Sequence, residues 1–175
     1  MNGRREFRPL QAEEIARAFK KEGVEYLFIG KSGAILLGYP GMTQDVDVFP
    51  ARSAENGRRL LAALRKIGFK ISAEMERDIL SGKDFVQIKS GPFDLDLIFA
   101  PDGIESFAKA KERAVLEGIF PVANLRDIIA SKRASGRQKD KIDLPLLESF
   151  RIEYEKQHAP PLRSAKEKSG RKSGK

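Results

Sequence analysis

The sequence contains no cysteine among its 175 residues, which excludes disulfide bonds, thiolate zinc sites and thiol nucleophiles together. It also lacks any apolar run near the ~20 residues of a membrane-spanning helix. Its start, MNGRREFRPL, has no apolar stretch after the basic residues, as a signal peptide would. We therefore expect a cytoplasmic protein with no membrane partner. Hydrophobic residues at 41% and charged residues at 33% of the chain are typical of one soluble globular domain.

The net charge of +8 is concentrated at the C-terminal end. From Lys156 onward the chain has seven basic residues and one acidic residue, which leaves a net charge of only +2 for residues 1–155. Overall basicity is therefore weak evidence for a nucleic-acid-binding surface on the folded part. The segment 158–175 is rich in Pro, Ser, Gly and Lys and poor in apolar residues, a composition that predicts a disordered basic tail.

Hydrophobic periodicity predicts interleaved helices and strands. Apolar residues have helical spacing in QAEEIARAFKKEG and in SAENGRRLLAALRKIGF, where Ser53 is the predicted N-cap and Gly68 follows the helix. SGAILLGY predicts a short buried helix. Strand patterns occur in EYLFIG, in TQDVDVFP and in both halves of DFVQIKSGPFDLDLIFAP, which predicts a hairpin with a turn at residues 90–92. We expect the phenylalanines of that hairpin, Phe85, Phe93 and Phe99, to lie in the core.

The C-terminal part of the fold is predicted to be helical. Residues 103–123 predict a short helix and a further short strand, and Asn124 with Asp127 predicts a capping-box-like start for LRDIIASKRASG. A last helix is expected from about 139 to 157, where Pro145 fits only near the first turns or at a kink. The prediction is an α/β or α+β domain over residues 1–157. Its sheet core spans about 24–120 and its C-terminal helices about 124–157.

Gly30-Lys31-Ser32 has the ending of a P-loop, in which a lysine and a hydroxyl contact nucleotide phosphates. A P-loop also needs a glycine five positions before Gly30, because the loop must curl its amides around the phosphates. That position is Glu25, within a predicted strand. The missing glycine argues against this motif.

Two pairs of aspartates give a stronger signal. Side chains at i and i+2 of a strand face the same side, so Asp45 and Asp47 converge, as do Asp94 and Asp96 in FDLDLIF. One such pair alone would be better explained as a solvated strand face, and Asp94 keeps that alternative. If the two strands are neighbours, three or four carboxylates meet. Mg²⁺ or Mn²⁺ prefers such oxygen ligands, with phosphates completing the shell.

The order of these motifs resembles the polymerase-β-like nucleotidyltransferase superfamily. Its signature is a hydrophobic residue, Gly, Gly or Ser, a spacer, and then Asp-hydrophobic-Asp-hydrophobic. Ile29, Gly30 and residues 45–48 match it, with residues 32–44 as the spacer. DLDLIFAPDGI is similar to the later strand that carries the third carboxylate. LRDIIASKRASGRQKDKIDL resembles the Lys…Arg…Asp helix pattern of AbiEii-type and related small bacterial nucleotidyltransferases, and together the motifs cover most of residues 24–148.

The resemblance implies the polymerase-β-like fold, a mixed β-sheet flanked by helices with a C-terminal helical part. It implies transfer of a nucleoside monophosphate from an NTP, such as ATP, to an acceptor hydroxyl, with release of pyrophosphate. The acceptor would be RNA or tRNA, a protein or a small molecule. The AbiEii-type pattern further suggests a toxin with an antitoxin partner, by family analogy.

The resemblance also assigns roles to residues. Asp45, Asp47 and Asp96 would be catalytic residues and would hold Mg²⁺ or Mn²⁺, with Asp96 also activating the acceptor hydroxyl. The nucleotide would be bound near Gly30, whose missing side chain lets phosphates approach a helix N-terminus. The other predicted nucleotide-binding residues are Lys31, Ser32, Lys132, Arg137 and Asp140, with Asp140 placing the basic side chains and Lys139 and Asp143 as further candidates.

Lys31 departs from the family pattern, which has Gly or Ser there, and a lysine either crowds the triphosphate or holds it. Two alternatives to an enzyme follow. The first is a catalytically inactive scaffold of the same fold that binds nucleotide or RNA. The second is a basic RNA binder that acts through its tail, which predicts salt-dependent binding that is lost when residues 159–175 are deleted.

Overall fold

A computed structural model describes residues 7–158. Within that range the chain forms seven helices and a mixed sheet of six strands. The helices are α1 (Pro9–Glu22), α2 (Gly30–Leu36), α3 (Ala54–Ile67), α4 (Ala73–Ser81), α5 (Phe107–Arg113), α6 (Leu125–Ser135) and α7 (Gln138–His158). The strands are β1 (Tyr26–Ile29), β2 (Asp45–Pro50), β3 (Phe85–Ile88), β4 (Asp94–Ile98), β5 (Val115–Glu117) and β6 (Phe120–Val122). The α/β class is confirmed. The disordered tail predicted for 158–175 lies outside the described residues, except His158, which ends α7.

The strand order in the sheet is β3-β4-β2-β1-β6-β5. β2 pairs with β4 in parallel and β1 with β6 in parallel, whereas the other neighbours are antiparallel. The predicted hairpin of β3 and β4 is confirmed, and it places β4 directly beside β2. The two Asp-containing strands are therefore neighbours in the middle of the sheet.

Alternation along β2 and β4 separates a core face from a polar face. Val46 and Val48 of β2 and Leu95 and Leu97 of β4 are fully buried, because apolar side chains at i and i+2 share one face of a strand. They belong to one core with apolar residues of α1 and α3, among them Ile15, Phe19, Leu60 and Leu64. The aspartates that alternate with them are left on the opposite face.

A buried asparagine joins the edge of this core to the helices. Asn56, in the first turn of α3, accepts a hydrogen bond from the Glu25 amide at 2.8 Å. Its side-chain amide donates to the carbonyl oxygens of Glu25 at 2.9 Å and Ala51 at 2.8 Å. One side chain thus holds the chain before β1, the chain after β2 and the start of α3 together.

Helix caps agree with most of the sequence predictions. The Ser53 hydroxyl accepts from the Asn56 amide at the start of α3, and Gly68 ends that helix in the left-handed region at φ 113°. Asn124 caps α6 by accepting from the Arg126 amide. The capping-box part of that prediction is wrong, because the Asp127 carboxylate instead accepts a hydrogen bond from Arg113 at 2.9 Å.

Three further features differ from the predicted elements. Helix α4 has no counterpart in the sequence prediction. The single strand expected before Ala123 is the antiparallel pair β5–β6, with Gly118 between them at φ +58°. Pro145 lies inside α7, where its missing N–H leaves the carbonyl oxygen of Lys141 without its helical donor. Among residues 7–158, no helix is both long and apolar enough to cross a membrane.

Candidate functional site

The site is built on the register between β2 and β4. Asp45 pairs with Asp94 and Asp47 pairs with Asp96 in the parallel ladder. Adjacent strands lie about 4.8 Å apart, so the register brings four carboxyl groups onto a small area of one sheet face. On the other side of β4, the antiparallel strand β3 places Gln87 opposite Asp96.

A cavity of about 560 Å³ lies over this face. Its other side is formed by the C-terminal half of α6 and the start of α7. Most of the predicted site residues line it: Gly30, Asp45, Asp47, Asp96, Lys132, Arg137 and Asp140. The fold therefore brings together the aspartates of the middle strands and the cations of the C-terminal helices, which are distant in sequence. Lys31 and Ser32 do not line this cavity.

Burial gives the two inner carboxyl groups unusual acidities. Loss of hydration raises the pKa of Asp47 well above its ordinary value, and the Asp96 and Asp45 carboxylates raise it further against the opposing charge of Lys132. Loss of hydration, with the Asp45 carboxylate as the next cause, raises the pKa of Asp96 to about 6. Both groups therefore favour a proton or a cation beside them.

One oxygen of Asp96 has no partner. Its Oδ1 is buried without a hydrogen bond within the described range, and an unpaired buried acceptor is costly. A bound cation would satisfy it, and a set of hard carboxylate oxygens fits Mg²⁺ or Mn²⁺. The donor chemistry of Asp45, Asp47 and Asp96 therefore fits the predicted metal. Their positions do not yet form a metal-binding group, because no three or more His, Cys, Asp or Glu side chains of residues 7–158 are grouped closely enough to hold an ion.

Gly30 is required for a reason different from the predicted one. Its φ is +65°, and a Cβ there would lie 2.9 Å from Cγ of Asp47 and closer still to Oδ2. The missing side chain makes room for the Asp47 carboxylate. The glycine of the motif therefore acts on the site through Asp47, and the approach of a phosphate at Gly30 stays a prediction.

Ser32 is also placed differently from the prediction. It is fully buried, and its hydroxyl donates to the Ile29 carbonyl oxygen at 3.2 Å while accepting from the Asp47 amide at 3.0 Å. Both functions of the hydroxyl are used inside the protein. The prediction that Ser32 binds the nucleotide is corrected: Ser32 holds the backbone of β2 at Asp47.

Lys31 is paired with a residue outside the larger cavity. Its ammonium group lies 3.3 Å from the Asp143 carboxylate, and the two side chains are only 19% and 13% exposed. This largely buried ion pair ties α2 to α7. The departure from the family pattern thus has a structural partner, and nucleotide binding by Lys31 stays a prediction that this placement does not support.

The basic side chains of the cavity are organised by Asp140, as predicted. Asp140 is 3% exposed and accepts hydrogen bonds from Lys132 at 3.3 Å, from Arg137 at 3.0 Å and from the Ser135 hydroxyl. Burial raises the pKa of Asp140, but the Ser135 hydrogen bond and the charges of Lys132 and Arg137 outweigh it, so the net shift is downward. Contact of Lys132 and Arg137 with phosphates stays a prediction.

A second, smaller cavity of about 410 Å³ adjoins the first at Asp45. Asp94, Lys89 and Lys139 also line it. Asp94 is therefore a neighbour of the site rather than part of the inner carboxyl pair, and Lys139 lies in this second cavity rather than with Lys132.

Gln87 and Phe85 are two of the lining residues of the larger cavity that were not predicted as site residues. Gln87 and Phe85 alternate on the face of β3 that continues the Asp96 face, and both line the larger cavity. Phe93 and Phe99 are buried as predicted, at 5% and 6% exposed, but Phe85 is 48% exposed, so its assignment to the core was wrong. The period-2 pattern of DFVQIK contained this information, because Phe85 shares a face with Gln87.

Comparison with models of known protein families finds no family that matches this chain, and a search of curated proteins finds no matching relative. The resemblance to the polymerase-β-like superfamily therefore stays a prediction that rests on the motifs.

Proposed function

We propose that this protein is a nucleotidyltransferase, dependent on Mg²⁺ or Mn²⁺, that has the polymerase-β-like fold. It would move a nucleoside monophosphate from an NTP to an acceptor hydroxyl. The observation that carries this proposal is the in-register pairing of Asp47 with Asp96 on parallel neighbouring strands, beside a buried and unpartnered oxygen of Asp96. Clustered carboxylates are costly in a structural role, because like charges repel.

Each part of the cavity has a role in this reaction. Asp45, Asp47 and Asp96 would hold the metal, which when bound stabilises charge on the attacking and leaving oxygens. Asp96, held in its charged form beside the metal, would also act as the general base. It would accept the proton of the hydroxyl whose oxygen forms the new bond to the α-phosphorus, while the bond from that phosphorus to pyrophosphate breaks.

The basic side of the cavity suits the leaving group. Lys132 is 12% exposed and is held by Asp140, whereas the Arg137 side chain is 77% exposed. Fixed cations stabilise charge that develops on a departing pyrophosphate, because they need no reorganisation during the reaction. Lys132 would provide such a fixed charge, and Arg137 a more exposed one.

The test is to incubate the purified protein with each labelled ribonucleoside triphosphate, Mg²⁺ and total cellular RNA, and to resolve RNA, protein and small molecules separately. Label that appears in one fraction and disappears in Asp45→Ala would support the proposal and identify the acceptor class. Asp78→Ala, on α4 and outside the lining of this cavity, is the matched control and should keep activity. Label that persists in Asp45→Ala would contradict the proposal. The toxin role stays a prediction, and the identity of the labelled acceptor would help to test it.

A catalytically inactive scaffold is the second candidate. It is favoured by the observation that Lys132 and Arg137 are both already paired with Asp140, which lowers the charge they offer to a ligand. Nucleotide binding separates the two functions. An enzyme should bind NTP much more tightly with Mg²⁺ than without it, and Asp47→Asn should remove that gain, whereas a scaffold should bind equally in both conditions.

A further inference from the structure

The larger cavity has an apolar end that the proposed chemistry does not use. Phe85 begins β3, an edge strand of the sheet, and its side chain is 48% exposed. Ile98 is its partner in the β4 register, and Pro101 lines the same cavity. The exposed Phe85 and the half-buried Ile98 therefore form one apolar surface, which we call the Phe85 wall.

The Phe85 wall lies one step along the sheet from the carboxyl groups. Phe85 and Gln87 are two residues apart on β3, as are Ile98 and Asp96 on β4, so each pair shares a face. Two residues of a strand span about 7 Å. The aromatic ring thus lies on the same sheet face as Asp96, one strand away and two residues along the strand direction.

We propose that the Phe85 wall is the surface on which the base of the nucleoside triphosphate stacks. This inference rests on the proposed function. The ligand must present polyanionic oxygens to a metal, Lys132 and Arg137, and a flat apolar face to Phe85. A nucleotide combines both, and every base has a π-face that an aromatic ring accepts. Because stacking is tolerant of base identity, Phe85 predicts little discrimination among the bases.

The absence of tryptophan from the sequence allows a direct test. Phe85→Trp would introduce a single indole at the Phe85 wall, and a base stacking on it should quench its fluorescence. The matched control is Leu116→Trp, because Leu116 is 72% exposed on β5, at the opposite edge of the sheet. Quenching of the first variant and not of the second, on adding ATP with Mg²⁺, is the expected result.

A second measurement separates stacking from folding. Phe85→Ala should weaken ATP binding about 5- to 150-fold, the range expected for loss of one base–aromatic stack, while Phe85→Tyr should restore it. Inorganic tripolyphosphate with Mg²⁺ has no base, so Phe85→Ala should bind it as tightly as the unsubstituted protein does.

The outcomes are distinguishable. If ATP binds but leaves the Phe85→Trp fluorescence unchanged, or if Phe85→Ala weakens tripolyphosphate and ATP equally, the stacking inference is overturned and the proposed function stands. If the unsubstituted protein binds neither ATP nor tripolyphosphate with Mg²⁺, the proposed function and the inference are both overturned.

Discussion

Substitution of Gly30 by alanine tests whether the glycine of the motif serves Asp47. The change has two costs. An L-residue at φ +65° costs roughly 1–2 kcal/mol for the left-handed backbone. The new Cβ also overlaps the Asp47 carboxylate, and relief of such overpacking typically costs about 1–3 kcal/mol. We expect a total loss of roughly 2–5 kcal/mol in the free energy of unfolding.

Gly118→Ala is the matched control for this change. Gly118 has φ +58° but nothing within 4 Å of an added Cβ, so only the backbone cost applies. For a chain of this size, 1 kcal/mol corresponds to about 2–4 °C in Tm. Thermal unfolding should therefore show a fall of about 2–8 °C for Gly118→Ala and about 4–20 °C for Gly30→Ala.

Function should separate the two variants more sharply than stability. Gly30→Ala must displace the Asp47 carboxylate, and a misplacement of roughly 1 Å can cost about 100-fold in rate. Nucleotidyl transfer and Mn²⁺ binding should fall by that order in Gly30→Ala and stay unchanged in Gly118→Ala. Equal Tm losses, or full Mn²⁺ affinity in Gly30→Ala, would refute the reasoning that Gly30 makes room for Asp47.

Three further predictions follow from side-chain partners. Ser32→Ala should destabilise the protein by roughly 1–3 kcal/mol, because the Asp47 amide loses its acceptor. Ser81→Ala, which removes an exposed hydrogen bond, should change stability by less than about 0.5 kcal/mol; similar values in urea unfolding would contradict this. A double-mutant cycle of Lys31→Met and Asp143→Asn should give a coupling free energy of about 0.5–3 kcal/mol, and nucleotide affinity should stay unchanged. A large loss of nucleotide affinity would instead show that Lys31 contributes to binding. In metal-free protein, Asp96 has a folded pKa of about 6 against an ordinary value of 3.8, so its ionisation costs folded stability as pH rises through that window. The Tm advantage of Asp96→Asn should therefore grow from about pH 4 to about pH 7, and a constant difference in Tm would count against a raised pKa.

The sequence predicted the strands of the site because their alternation is unambiguous. Val46 and Val48 could face only a core, so Asp45 and Asp47 had to face away from it. The parallel register of β2 with β4 could not be predicted from this alternation, because it depends on a pairing between residues far apart in the chain. The same holds for Lys132, which reaches the carboxyl groups only through the packing of α6 and α7.

Each wrong prediction has its own physical cause. Ser32 lies in a motif that resembles a phosphate-binding sequence, but whether a hydroxyl is open or buried is decided by what packs over it. Phe85 was assigned to the core by hydrophobicity, although its face of the strand was the polar one. Helix α4 was missed because only Ile79 of its residues is buried, which leaves a weak periodic signal.

The parallel pairing of β2 with β4 has a consequence for the order in which the protein forms. The partners Asp45 and Asp94 are separated by the whole segment that contains α3, α4 and β3. Closing such a loop costs entropy before the strand contacts repay it, so non-local pairings of this kind form slowly. During synthesis, β2 must also wait for β4 to emerge. Until then, the Asp-bearing strand lacks the neighbour that completes its ladder.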